Sequence, residues 1–170
     1  ATGQWFYFPV AFAVKSSIAL LILLPFGLLF PFFNREKRRE MLFILVPPLA
    51  FFAISLTSKL NIGVRHILPI YAFFIVVAAV GAIWMSRKFY YFRYVLIALL
   101  IFHAFTAFRT APNYIAFAND FFGGTNNSYR AFRDSSSEWG QNYKFINEYL
   151  KRENITDCWF AGIGNLEVMR

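Results

Sequence analysis

Three basic side chains are best placed to do chemistry, because each lies at or inside an apolar run. Lys15 ends the apolar segment 5–14 and precedes two serines, and Arg65 and His66 precede the apolar segment 67–85. A charged side chain within a membrane span is costly and usually faces a cavity or a bundle interior. The alternative for Lys15 is that its ammonium group snorkels to a nearby headgroup region.

The types of these residues suit an anionic ligand. Arg65 offers a planar fork of donors that matches phosphate oxygens, and His66 can share a proton near neutral pH. The alternative is that both are a basic pair that anchors a helix end. Because Lys15, Arg65 and His66 are expected on one side of the membrane, they predict a cluster that binds a lipid-linked phosphate or pyrophosphate.

Cofactor and metal chemistry have less support. His66 and His103 are the two histidines, and a pair at similar depth can in principle ligate haem or chlorophyll. One pair without small residues around it is a weak signal, so we expect a hydrogen-bonded structural role for His103. No Cys/His spacing is typical of a metal site, so we predict no metal and no certain cofactor.

Two acids near the C-terminus leave two interpretations open. Asp134 and Glu138 would share a helix face if a helix began early, and paired carboxylates can do acid/base work. Asp134, followed by serines, also has the pattern of a helix N-cap. From the residues alone, capping is the favoured interpretation.

The surrounding elements are predicted to be membrane helices. The 170 residues are 58% hydrophobic and 15% charged, whereas soluble domains have about 25% charged residues. Four apolar runs reach the roughly 20 residues that a span requires once their flanks are added. The sequence therefore predicts an α-helical integral membrane protein with about four transmembrane helices in residues 1–110, at about 9–33, 41–57, 67–86 and 93–109. Prolines predict kinks at Pro25 and Pro31 and a break at Pro47-Pro48.

The basic residues predict the orientation of these helices. Loops 34–40 and 86–93 hold seven Lys or Arg, whereas the connector 57–66 holds two. By the positive-inside rule the first two loops face the cytoplasm, so both chain ends are external. The basic surplus lies on the membrane half and gives no argument for nucleic acid.

The C-terminal residues 111–170 are predicted to form a small external α/β-like tail. Apolar periodicity predicts a helix at about 138–152, and an apolar run predicts a strand at about 157–162. Since the chain begins at Ala1 rather than Met, we expect a fragment that lacks an N-terminal part.

Several segments in series resemble a known family. WFYFPVAFAVKSS, NIGVRHILPIYAF, PNYIAFANDFFGG and DSSSEWGQN are similar to the C-terminal half of bacterial GT-C-fold glycosyltransferases that use polyprenyl-phosphate sugars, such as protein mannosyltransferases and aminoarabinose transferases. The similarity covers most of residues 5–142 in order. Ser136, Glu138 and Asn142 depart from the residues that the family pattern has there.

The resemblance implies a location, a donor and a set of site residues. It implies a multi-pass protein of the bacterial inner membrane with a periplasmic tail, a lipid-linked sugar phosphate as donor, and lipid-phosphate binding by Lys15, Arg65 and His66. An external cap or acceptor side would include Tyr71, Asp134, Glu138, Trp139 and Gln141. The acids that act as base belong to the family's N-terminal half, so the catalytic residues are unknown.

Two functions follow as expectations. One is the membrane portion of a glycosyltransferase-like protein, without catalysis by this chain alone. Its partners would be membrane lipids, a polyprenyl-phosphate lipid, and a missing N-terminal half or other membrane subunits. The other is a non-catalytic accessory subunit of a larger membrane complex. A transporter has little support, because no series of charged residues lines a path.

Overall fold

The structure is a computed structural model that describes residues 4–59, 63–128 and 140–155. These residues form six helices and several short 3₁₀ turns, and no strand occurs among them. The predicted strand at about 157–162 lies outside the described residues. The helices are α1 (Tyr7–Lys15), α2 (Ile18–Phe33), α3 (Arg38–Ser55), α4 (Leu68–Lys88), α5 (Phe92–Thr110) and α6 (Tyr143–Arg152).

Two described helices are long and apolar enough to cross a membrane. They are α4, extended by a 3₁₀ turn at its start, and α5; the number is three if α1 and α2 together form one bent span. Three of the 18 residues of α3 are charged, namely Arg38, Arg39 and Glu40. Its apolar remainder is about 22 Å long, shorter than the ~30 Å hydrocarbon core. Helices long and apolar enough to cross a membrane are therefore present, whereas four spans and their orientation stay predictions.

The first predicted span is broken by a bend of 116° between α1 and α2. The break lies at two serines: Ser16 has extended backbone, and the Ser17 hydroxyl caps α2 by accepting from the Leu20 N–H at 3.3 Å. Serine is a preferred N-cap because its oxygen satisfies a free helix N–H. The helix α2 continues through Pro25 and Pro31, so the serines and not the prolines interrupt this segment.

The break predicted at Pro47-Pro48 is wrong, because α3 continues through both prolines. A proline removes one backbone N–H donor and crowds the carbonyl four residues earlier, which favours a kink. In a membrane helix, neighbouring helices and local adjustments compensate for that loss. Here α3 packs beside both α2 and α4.

The centre of the fold is a direct backbone contact between α2 and α4. A Cβ on Gly27 would lie 2.0 Å from the Val77 carbonyl oxygen, and one on Gly81 would lie 2.2 Å from the Gly27 nitrogen. Glycine lets two membrane helices approach this closely, which increases the van der Waals contact that holds them together. The buried core around this contact consists of Phe8, Leu23, Leu24, Met41, Leu45, Ile67, Ile70, Phe74, Val77, Ala78 and Ala82.

Aromatic contacts define the two ends of the bundle. At one end the Phe33 and Trp84 rings stack at 5.5 Å, and the Lys88 ammonium lies 5.4–5.5 Å from both rings. At the other end Phe12 of α1 lies 5.2 Å from the Tyr71 ring at the start of α4. The short loops after α2 and after α4 therefore share the first end, and the α1–α2 bend lies at the second end.

The segment after α5 folds back over the α1–α2 bend. Arg109, near the end of α5, forms an ion pair with Asp120 in this segment. Asn113 donates to the Asn142 side chain and accepts from the Gln141 side chain, both at 3.2 Å, which ties the start of α6 to the end of α5. Phe145 and Tyr149 on α6 are about half exposed.

Candidate functional site

A cavity of about 600 Å³ lies between α2, α4 and α5. Along α4 it extends from Tyr71 to Ile83, which is about 18 Å at the helical rise per residue. Its apolar walls include Leu23, Ile75, Ala78, Ala79, Ala82, Leu96 and Leu100.

The end of the cavity nearest the α1–α2 bend is polar. Lys15, Ser16, Ser17 and Tyr71 line it, and Ser16 Oγ donates to Tyr71 Oη at 3.2 Å. The Lys15 ammonium donates to the Ile115 carbonyl at 3.2 Å. Among the lining residues in the described part of the chain, none is Asp or Glu. The cavity therefore combines a positively charged end with an apolar slot.

The start of α2 adds to the positive potential at this end. Ser17 and Ala19 line the cavity at the first turn of the helix. Aligned peptide dipoles give a helix N-terminus about half a positive charge. Because Lys15 lies three residues before α2, its charge and the helix dipole act on the same region.

The structure brings together only part of the predicted phosphate cluster. Of its three residues, Lys15 lines the cavity, but Arg65 and His66 do not. Both are exposed in the 3₁₀ turn before α4. The His66 ring lies 5.6 Å from the Phe8 ring and 6.2 Å from the Phe51 ring.

Of the five residues predicted to form the external cap, the structure describes Tyr71 and Gln141. Gln141 reaches Asn113 near the end of α5, as described above, and does not line the cavity. Asp134, Glu138 and Trp139 lie outside the described residues.

The two histidines lie in different surroundings. His103 lines the cavity on α5, whereas His66 contacts aromatic rings elsewhere. They do not face a common cavity in which both could ligate one ring cofactor. Within residues 4–59, 63–128 and 140–155, no group of three or more metal-ligating side chains occurs. On the same face of α5, Thr106 and Thr110 donate to carbonyl oxygens of their own helix at 2.8 Å.

Asn119 lies next to the polar end of the cavity, at the α1–α2 bend, and no role was assigned to it from the sequence. Its side chain is 1% exposed, and Nδ2 donates to the Ala13 carbonyl at 2.7 Å and to the Ser16 carbonyl at 2.9 Å. Its backbone N–H donates to the Val14 carbonyl at 3.0 Å. The only available signal was its place in the PNYIAFANDFFGG segment of the family pattern, because its partners are more than 100 positions away.

Comparison with models of protein families, with curated proteins and with solved structures finds no match. The functional argument therefore depends on the cavity and on the chemistry of the residues that line it.

Proposed function

We propose that this chain is the membrane portion of a glycosyltransferase-like protein that binds a polyprenyl-phosphate-linked sugar. Binding takes place at the external face of the bacterial inner membrane. The observation that carries the proposal is the cavity, with Lys15 at its polar end and an apolar slot that runs from there along α4. In this proposal the phosphate lies near Lys15 and the polyprenyl chain follows α4 and α5.

The charge at the polar end suits the leaving group of a sugar transfer. When the bond between the sugar carbon and the phosphate oxygen breaks, its electron pair stays on the phosphate, which gains negative charge. A preorganised ammonium group and a helix N-terminus stabilise charge that develops at such a position. Lys15 and the start of α2 have these roles in the proposal.

Catalysis by this chain alone is not part of the proposal. A base must take the proton of the acceptor, and no carboxylate is present among the described residues that line the cavity. The family resemblance assigns that base to an external loop of the family's N-terminal half. This chain would contribute donor binding and charge neutralisation, and a partner segment or subunit would contribute the base.

In the proposal, Arg65 and His66 have an outer role, which means that they act outside the cavity and do not contact the bound phosphate. They are exposed at the start of α4 and do not line the cavity. Exposed basic groups near a membrane surface attract anionic lipids with about 1 kcal/mol each. The permanent charge of Arg65 would concentrate the anionic donor near the cavity, with the His66 ring beside it as a hydrogen-bond partner, whereas Lys15 would contact the phosphate.

The central experiment compares a charged ligand with its neutral counterpart. Farnesyl phosphate and farnesol share one isoprenoid chain and differ in the phosphate. The purified full chain in detergent should bind farnesyl phosphate more tightly, as measured by native mass spectrometry. Lys15→Met should weaken farnesyl phosphate binding by roughly tenfold or more, the effect of losing a charged hydrogen bond, and should leave farnesol binding unchanged.

Two matched controls separate the phosphate end from the slot. Lys59→Met removes an exposed lysine that does not line the cavity and should leave both affinities unchanged. Ala79→Phe fills the slot and should weaken both ligands, whereas Ala72→Phe, on an exposed part of α4 outside the cavity, should weaken neither. Equal binding of both ligands by the unaltered chain would contradict the proposal.

The second candidate is a non-catalytic accessory subunit of a larger membrane complex. The observation that favours it is the open surface of α5, where only Thr106 and Thr110 are buried and Phe108 is 82% exposed. Such a surface can pack against helices of another subunit. Failure of the unaltered chain to prefer farnesyl phosphate over farnesol would favour this candidate.

A further inference from the structure

The α1–α2 bend leaves several backbone carbonyl groups without helical partners. The last carbonyls of a helix have no N–H group one turn ahead, and buried carbonyls need another donor. At this bend Phe12 keeps its helical bond to the Ser16 N–H, but the carbonyls of Ala13, Val14 and Ser16 do not continue a helix. All three accept hydrogen bonds from Asn119.

Asn119 satisfies these carbonyls and is itself fully engaged. Its side-chain nitrogen has two N–H donors, one for Ala13 and one for Ser16, and its Oδ1 accepts from the Phe121 N–H at 3.1 Å. An aspartate at this position would place a carboxylate oxygen, which only accepts hydrogen bonds, next to the Ala13 and Ser16 carbonyls, which also only accept them. The site therefore requires an amide and not merely a polar side chain.

The residue enclosed by these hydrogen bonds is Lys15. The carbonyls of Val14 and Ser16, on either side of it, both accept from Asn119, so its backbone is fixed on both sides. The segment that carries Asn119 also supplies the Ile115 carbonyl that accepts from the Lys15 ammonium. Asn119 thus joins the α1–α2 bend to the segment after α5, and the same segment holds the Lys15 ammonium through Ile115.

We propose that Asn119 is the positioning residue of the lipid-phosphate site: its buried amide holds the α1–α2 bend and thereby keeps the Lys15 ammonium at the polar end of the cavity. The inference rests on the proposed function for its ligand, but the geometry of the bend stands without it. Asn119 does not line the cavity, so it acts through Lys15 and not by contact with the ligand.

The ligand experiment uses Asn119→Ser in the full chain with farnesyl phosphate and farnesol as probes. The shorter hydroxyl has one donor and does not reach both carbonyls. We expect farnesyl phosphate affinity to fall roughly tenfold and farnesol affinity to stay within about twofold. In a Lys15→Met background the same substitution should have no further effect on farnesyl phosphate, because both changes remove one interaction.

The matched control is Asn127→Ser, the same substitution in the same segment. The Asn127 side chain donates to the Gly123 carbonyl at 2.9 Å, a hydrogen bond within its own segment. It should leave both affinities unchanged. Equal weakening of both probes by Asn119→Ser, or a full effect in the Lys15→Met background, would overturn the positioning role, since general loss of structure predicts these results.

A second measurement tests the bend without any ligand. With Cys158, the single cysteine, replaced by serine, spin labels at Val10→Cys on α1 and Leu29→Cys on α2 report the distance across the bend; both positions are more than 40% exposed. Electron resonance should give one narrow distance distribution for the unaltered chain and for Asn127→Ser. It should give a broader or displaced one for Asn119→Ser.

The two measurements separate the two proposals. If the unaltered chain does not prefer farnesyl phosphate, the proposed function fails, and the spin-label distances still decide whether Asn119 holds the bend. If the chain prefers farnesyl phosphate but Asn119→Ser keeps both the preference and the narrow distribution, the role of Asn119 is refuted and the proposed function stands.

Discussion

At the scale of single residues, a charged side chain within an apolar stretch of sequence was the signal that identified a residue of the candidate site. Lys15 stood out because a lysine in an apolar run needs a polar environment, and the structure gives it one at the cavity end. Asn119 has no comparable signal. Its hydrogen-bond partners Ala13 and Ser16 lie more than 100 positions away, so only the folded chain brings them together.

Arg65 provides a prediction at this scale. Since Arg65 is exposed and outside the cavity, Arg65→Ala should change farnesyl phosphate affinity by no more than about fivefold, because exposed ion pairs contribute about 0–1 kcal/mol. The measurement is the binding assay described for Lys15→Met, at low and high salt. The small effect of Arg65→Ala should vanish at high salt. A loss as large as that of Lys15→Met would place Arg65 at the phosphate and contradict its outer role.

At the scale of helices, the sequence predicted where apolar segments lie better than where they break. The break predicted at Pro47-Pro48 does not occur, because α3 continues through both prolines, and the kinks predicted at Pro25 and Pro31 in α2 stay predictions. The break between α1 and α2 lies at Ser16 and Ser17 instead. Ser17 does have the pattern of an N-cap before an apolar run, so that signal was present and was outweighed by the prolines.

The contact between α2 and α4 gives a prediction about stability. Gly81→Ala places a methyl group 2.2 Å from the Gly27 nitrogen, and because the obstacle is backbone, the two helices must separate. Overpacking of this kind costs about 1–3 kcal/mol. We expect a lower midpoint of unfolding in a denaturing-detergent titration followed by circular dichroism.

The control for this prediction is Ala72→Val, which adds methyl groups at an exposed position of the same helix. It should leave the midpoint unchanged. A Gly81→Ala protein as stable as the unaltered chain would mean that α2 and α4 do not depend on backbone contact.

At the scale of the whole molecule, the described contacts place successive loops at alternate ends of the helix bundle. The basic loops after α2 and α4 share one end, where Phe33 stacks on Trp84. The Lys15 end is opposite. Composition alone predicted apolar helices, but the cavity between α2, α4 and α5 depends on how three helices diverge, which no local pattern in the sequence encodes.

The orientation of the whole molecule is testable by cysteine labelling. In a background with Cys158 replaced by serine, Lys59→Cys and Arg35→Cys place one exposed thiol at each end of the bundle. The positive-inside rule predicts that a membrane-impermeant maleimide labels Lys59→Cys in intact spheroplasts and labels Arg35→Cys only after the membrane is disrupted. The reverse pattern would place the cavity end in the cytoplasm and contradict an external donor site.

The shortness of α2 has a consequence for the bilayer around it. Its 16 residues extend about 24 Å, some 6 Å less than the hydrocarbon core, and its side chains Ile22 and Leu29 are more than one third exposed. If α1 and α2 together form one bent span, the membrane can adapt to the short α2 part by local thinning. The lipids beside α2 should then carry their headgroups closer to the midplane, on the level of Lys15. In the proposed function, the phosphate of the lipid donor would then lie at the same depth as the headgroups of the lipids around it when it enters the cavity.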